Sequence, residues 1–454
     1  MEENKKFEFY GGSFGPWIPV IFMIAGMVAA TVTGNGGLQR FCIISFIALA
    51  IGFFLTKNKK EFGQLSLKGL TNPMLGTIIM AFVMAGILSQ LLRQSGLINS
   101  LILVVSTLDL NVGFLPFVGF VVCMLISTSC GTSTGAIAAV APVLVPLAHS
   151  LGIDVGLMCG AIISGSIFGD NIAPISDTTI SSALTQEAKI GDVVRTRLPY
   201  AVTSAVISAI LFIVLGLRMG SGDAAHIVLT DASFKPLILL VLPLIMVFMM
   251  RKGWDLTGTL ITCNVIGIVL NVVLGTITAA TMFTVDGPIF AGMNGMMVLV
   301  LYVLLLFQVL AVLISSGAFD VLGENLMKVC KSPRSAEFVC YIVASIGSAA
   351  TGGSGIAIVF FGSLVRKITK TFHIDRCRGA NILDGVACGA TGLMPHGNPV
   401  NVCLGVVLTL ENFDPEFSFL NILPYNFHCW GLLIIFLLSI LTDFGRRFEK
   451  AEQE

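Results

Sequence analysis

Two carboxylates, Asp170 and Asp177, stand inside Gly169-Asp170-Asn171-Ile172-Ala173-Pro174-Ile175-Ser176-Asp177-Thr178-Thr179, a polar segment flanked by Ile167-Phe168 and Ile180. An ionised side chain at membrane depth costs at least about 2.5–3.5 kcal/mol on insertion scales, so a pair normally marks a path for ions or protons. Pro174 cannot donate a backbone hydrogen bond and opens carbonyls beside the acids. Carboxylate, hydroxyl (Ser176, Thr178), amide (Asn171) and unwound carbonyl oxygens are what a hard cation such as sodium takes as ligands. The segment holds neither His nor Cys, which argues against zinc or copper. Burial favours the protonated form of a carboxyl and a bound cation the ionised form, so one Asp can hold either a proton or sodium. The competing reading is a cytoplasmic loop in which one of these acids merely caps a helix. Against it, the preceding apolar run 155–168 is too short to cross alone, which sets the cluster part-way through the bilayer.

A second polar segment, Thr391-Gly392-Leu393-Met394-Pro395-His396-Gly397-Asn398-Pro399-Val400-Asn401, offers neutral oxygens from Thr391, Asn398 and Asn401, with Asp384 as a nearby acid. His396 titrates near neutral pH and is a secondary candidate, as a proton relay or as a helix-end hydrogen bonder. Two runs of small residues, 127–135 and 347–355, read as helix breaks or re-entrant tips, with Thr132, Ser133, Thr351 and Ser354 as ligand candidates. Close helix packing through small residues explains them equally well.

The elements that must position these residues are membrane helices. Of 454 residues 55% are hydrophobic and 11% charged, with zero formal net charge and a mean hydropathy of +0.93; a soluble fold is excluded, because soluble domains are about one-quarter charged. Apolar runs 16–33, 39–56, 74–93, 199–217, 234–250, 256–282, 295–316 and 423–442 can span, and 113–150, 155–186, 335–371 and 379–410 are apolar but interrupted. The expected fold is an all-α polytopic membrane protein of about ten spanning helices plus two hairpin-like re-entrant elements. Lys and Arg cluster at 57–60, 189–197, 251–252, 328–334 and 446–450, and the positive-inside rule then places both termini in the cytoplasm. The eleven cysteines form no Cys-x-x-Cys pair and read as buried fillers.

Sliding the chain on itself by about 221 positions aligns helix-breaking residues without a gap: Ser127 falls on Ser348, Gly131 on Gly352, Ser133 on Ser354, Asp154 on Asp375 and Pro174 on Pro395. The connection 149–156 lacks Lys and Arg while its mate carries Arg366, Lys367, Lys370, Arg376 and Arg378, so the two copies face opposite ways. Inverted-topology repeats with broken helices are the architecture of alternating-access carriers. The expected division is 1–70, a cytoplasmic segment and two spans; 71–220, the first repeat; 221–290, connecting helices; and 291–454, the second repeat and a C-terminal helix.

The first polar segment resembles the Gly-Asp…Ser-Pro…Ser-Asp-Thr-Thr signature of NhaC-type sodium/proton antiporters, with Ala173 where Ser is usual; Cys130-Gly131-Thr132-Ser133-Thr134-Gly135 is similar to that family's Gly-Thr-Ser element. The family belongs to the ion transporter superfamily. The resemblance implies a bacterial or archaeal plasma-membrane carrier exchanging sodium for protons, with Asp170, Ser176, Asp177 and Thr178 at the ion site. Met394-Pro395-His396-Gly397-Asn398-Pro399 departs from the family's Pro-Trp-Asn, so a coupled carrier of a dicarboxylate, lactate or amino acid is the alternative, with Arg366, Arg376 or Arg378 as partners of its carboxylate. A remoter alternative, an intramembrane serine protease, would use Gly352-Gly353-Ser354-Gly355 with His373 or His396 as base. Expected partners are sodium, protons, membrane lipid, an organic solute in the alternative reading and, in an oligomer, a second copy of the chain; nucleic acid and cofactors are not expected.

Overall fold

The computed structural model describes residues 8–33, 38–71, 73–107, 111–174, 176–219, 233–410, 413–414 and 416–449. It is helical nearly throughout, with two isolated bridges, Phe9 with Thr56 and Ile374 with Phe448, as the extended pairings among the described residues. The first half comprises α1 (Trp17–Val32), α2 (Leu38–Leu55), α3 (Phe62–Leu70), α4 (Pro73–Gln94), α5 (Leu97–Thr107), α6 (Leu115–Cys130), α7 (Ser133–Ser150), α8 (Val155–Ile172), α9 (Asp177–Thr185) and α10 (Ile190–Met219). After it come α11 (Val241–Arg251), α12 (Leu256–Leu274), α13 (Ala279–Met282), α14 (Pro288–Gly295), α15 (Met297–Ser315) and α16 (Ala318–Val329). The chain continues with α17 (Pro333–Thr351), α18 (Ser354–Thr371), α19 (Arg376–Thr391), α20 (Asn398–Val407), α21 (Phe419–Ile422) and α22 (Phe427–Leu441).

This is a multi-pass membrane protein. In hydrocarbon every backbone polar group must be satisfied internally, so apolar sequence goes into helices. Among the described residues five stretches are long and apolar enough to cross: Ser133–Ser150, Val155–Ile172, Ile190–Met219, Leu256–Leu274 and Pro288–Ser315. Phe419–Tyr425 with Phe427–Leu441 adds a sixth if that pair, bent by 57°, is one span. The remaining apolar helices, among them Trp17–Met27, Gln39–Leu55 and Val112–Thr128, are shorter.

Each interrupted stretch is two helices joined at a break, and the direction of packing tells what kind of break it is. Gly119 of α6 faces Met158 of α8, Gly165 of α8 faces Phe120 and Met124, and Gly169 faces Ser127 and Thr128, so α6 and α8 run parallel. The start of α7 touches the end of α8 through Ser133 and Asp170, while four residues join the end of α7 to the start of α8. Helices α6 and α7 are therefore an antiparallel hairpin with its tip at Gly131-Thr132, where Gly131 takes a left-handed φ of 70° that a side chain would resist. The second hairpin, α17 and α18, is built alike. Glu337 meets Arg378 near the starts of α17 and α19, and Ser348 meets Ala387 near their ends.

The two halves repeat their hydrogen bonds in the register read from the sequence. Ser127 Oγ donates to the Ser166 carbonyl at 2.6 Å, and Ser348 Oγ to that of Ala387 at 3.1 Å. Gly131 and Gly352 close their helices with N–H bonds of 2.8 Å to Ser127 and Ser348. Ile153 and Ile374 donate to Ala148 and Thr369, both at 2.9 Å. Asp154 caps α8 and Asp375 caps α19. The packing crosses between the halves: the return arm α18 lies on α9, and the return arm α7 lies on α20. Gln186, just past α9, donates from Nε2 to the Gly362 carbonyl of α18 at 2.8 Å.

Candidate functional site

Helix α8 ends at Ile172 because Pro174 has no N–H to continue it and drives Ala173 into an extended conformation, with ψ 125°. Asp170 lies in the last turn and is 3% exposed. Ser133, the first residue of α7 at the hairpin tip, donates to Asp170 Oδ2 at 2.9 Å. Ser176, the N-cap of α9 across the break, donates to Oδ1 at 2.6 Å. Ser176 Oγ also lies 2.9 Å from Thr178 Oγ1, which is 3.4 Å from the Asp170 carbonyl. Asp170 is thus the meeting point of the first hairpin tip, the end of α8 and the start of α9.

Asp177 opens α9 and is exposed. It faces the second hairpin tip: a Cβ added to Gly355 would lie 3.0 Å from Asp177 Oδ2. Among the described residues no Lys, Arg or His makes an ion pair with Asp170 or Asp177. A buried carboxylate without a cationic side chain is costly when ionised, and it is relieved by taking a proton or a cation.

Asp384 of α19 is in a different situation. It is fully buried and paired with Arg197 of α10, also fully buried. Its oxygens further accept from Asn171 Nδ2 at 3.2 Å, Ser182 Oγ at 3.0 Å and the Cys388 thiol at 3.1 Å. Arg197 also donates to the Asn171 carbonyl at 2.5 Å, Thr179 Oγ1 at 3.2 Å, Ser182 Oγ at 3.3 Å and Asn381 Oδ1 at 3.2 Å.

The second break is sealed by its own tip. The Asn398 N–H donates to the Gly352 carbonyl at 3.0 Å, and His396 Nε2 lies 2.7 Å from the Ala349 carbonyl. Thr351 Oγ1 is spent on the Gly347 and Gly353 carbonyls at 2.8 and 3.0 Å, and Thr391 Oγ1 on that of Ala387 at 2.9 Å. Thr132 acts as the N-cap of α7. Ser354 and Asn401 are buried, and the buried Oδ1 atoms of Asn171 and Asn401 have no hydrogen-bond partner among the described residues.

Residues 12–217, the stretch that holds Ser133, Asp170, Ser176 and Asp177, match the model of the Na+/H+ antiporter family. The Na(+)/H(+) antiporter NhaC of Alkalihalophilus pseudofirmus is 24% identical over 61% of this chain and 64% of its own. This chain is thus similar, over parts of its length, to the NhaC-type Na+/H+ antiporters. The Malate-2H(+)/Na(+)-lactate antiporter of Bacillus subtilis is 27% identical over 38% of this chain and 37% of its own. The Arginine/ornithine antiporter ArcD of Halobacterium salinarum is 23% identical over 72% of this chain and 71% of its own. The chain therefore spans 37% of the malate/lactate relative and 64% of NhaC.

The structure brings Ser133, Asp170, Asn171, Ser176 and Thr178 together, with Asp177 turned to the opposite tip. Arg197, grouped with Lys189 and Arg195 in the sequence, separates from them into the interior. Its signal was position: it falls on the buried stripe Val193, Arg197, Tyr200, Ser204, Ser208 of α10, at helical spacing. The basic residues considered for a carboxylate solute are already engaged. Arg366 pairs with Glu187 and Glu449, Arg376 with Glu449 and Arg378 with Glu337. As for a protease, His373 follows the far end of α18, whose 18 residues put it about 27 Å from Ser354 at 1.5 Å per residue. His396 has its Nε2 on a backbone carbonyl.

Proposed function

We propose that this chain is a secondary transporter that exchanges sodium for protons by alternating access, with Asp170 and Asp177 holding one or the other. The observation that carries the reading is the buried Asp170 carboxylate, which two hydroxyls stabilise and no basic side chain among the described residues neutralises. Each ionised carboxylate oxygen accepts more than one bond, so after Ser133 and Ser176 the group still has lone pairs for a cation. Proton and sodium are then alternatives at the same atoms, and exchange follows from their competition. A hairpin tip and a helix break on each side of the site give it two gates, the arrangement that inverted repeats provide. The Thr391, Asn398 and Asn401 segment would add neutral dipoles. The same reading puts the chain in the plasma membrane of a bacterium or archaeon, with both termini cytoplasmic and no cofactor required.

The test is purified protein in liposomes with an interior pH dye and an imposed sodium gradient. Sodium-driven proton movement is expected in the wild type and is expected to be lost in Asp170→Asn and Asp177→Asn. A wild type that moves no protons under the gradient refutes sodium/proton exchange. The second arm, labelled lactate, dicarboxylates, arginine and ornithine, follows from the similarity to a malate/lactate and an arginine/ornithine antiporter.

A further inference from the structure

The Arg197–Asp384 pair ties together α8, α9, α10 and α19, and its contacts go to the frame of the site rather than to Asp170 itself. Arg197 comes from α10 and reaches α8 at the Asn171 carbonyl, α9 at Thr179 and Ser182, and α19 at Asn381 and Asp384. Asn171, the residue after Asp170, is held twice: its carbonyl by Arg197 and its side chain by Asp384. The last carbonyls of α8 lose their helical donors at the break, and the rigid fork of a guanidinium can serve several such acceptors at once. Because the two charges cancel, this brace leaves the net charge at Asp170 unchanged.

We propose that Arg197 and Asp384 are positioning residues that fix the end of α8 against α9 and α19, and so hold the Asp170 carboxylate where it meets both Ser133 and Ser176. On this assignment Asp384, although an acid inside the membrane region, carries neither sodium nor a proton in the cycle. The inference rests on the sodium/proton reading of Asp170. It specifies which of the three acids near the breaks, Asp170, Asp177 and Asp384, is frame and which are cargo sites.

Two variants test it in the liposome assay, alongside thermal unfolding in detergent. Arg197→Met with Asp384→Leu removes both charges together, a replacement buried pairs often tolerate in stability. Arg197→Lys keeps the charge and loses the fork. Losing partners that orient first-layer ligands typically lowers metal affinity about 10- to 100-fold, so both variants are expected to raise the sodium half-saturation by about tenfold or more. The number of protons moved per sodium is expected to stay at the wild-type value. A folded variant with wild-type half-saturation overturns the positioning role. A changed proton-to-sodium ratio in the double variant overturns it too, by making Asp384 a carrier of cargo. If the double variant does not fold, Arg197→Lys decides. The wild type in the same experiment separates the two failures, since only its inactivity would sink the exchange reading.

Discussion

Ser133→Ala isolates one of the two hydroxyls on Asp170 without disturbing a helix cap, because the N-cap of α7 is Thr132 and not Ser133. Its hydrogen bond to Asp170 Oδ2 is 2.9 Å long and buried. A hydrogen bond to an ionised group contributes about 1.5–3 kcal/mol, more than a neutral one. The protonated carboxyl loses less than the ionised carboxylate when that donor goes, so sodium, which binds the ionised form, competes less well with the proton. The difference between a charged and a neutral hydrogen bond is about 1–1.5 kcal/mol, so at about 1.4 kcal/mol per decade the sodium half-saturation at fixed pH should rise roughly five- to tenfold. Initial rates of proton movement in liposomes over a sodium series measure it, with detergent melting as the control for folding. A half-saturation within twofold of wild type, in a variant that melts normally, would refute the claim that this hydroxyl stabilises the cation-binding form. Ser176→Ala is the weaker probe, because Ser176 also caps α9 and its loss costs about 1 kcal/mol of stability besides.

Arg197→Met alone should be far more damaging to the fold than the paired replacement, by about 3–5 kcal/mol, because it strands a fully buried Asp384 charge; size-exclusion recovery and melting temperature report this. Gly355→Ala places a methyl 3.0 Å from Asp177 Oδ2, so sodium-driven proton flux should fall while the melting temperature changes little. Gly169→Ala should act oppositely. Its methyl would land on the Thr128 backbone nitrogen and Ser127 Cβ, forcing α6 from α8 at about 1–3 kcal/mol, which is read as a lowered melting temperature.

The breaks were legible because proline, glycine and caps act locally. Pro174 ends α8, Gly131 and Gly352 turn the hairpins, and Asp154 and Asp375 start their helices wherever the rest of the chain lies. The repeat was legible for the same reason, since an ungapped match of helix breakers survives in a background of interchangeable apolar residues. The break was expected to begin at Gly169, whereas the helix runs on to Ile172 and includes Asp170, because nothing before Pro174 interrupts its hydrogen bonding. What could not be read is set by tertiary approach. Arg197 looked like part of a surface cluster, and only the arrival of α19 supplies the carboxylate that makes its burial affordable. The crossed contacts of α18 with α9 and α7 with α20 likewise join segments with no local signal of each other.

Those crossed contacts make the two halves depend on each other. Each return arm packs on the segment that follows the other half's break, α18 on α9 and α7 on α20, so a single copy on its own would leave that face of the segment uncovered. In the repeat register the pairs Asp177 with Asn398 and Asp170 with Thr391 are acid in one half and neutral in the other. Two fragments divided between residues 220 and 233 are therefore expected to co-purify when made together and to be degraded when made singly. A stable solitary fragment would argue that the halves matured independently.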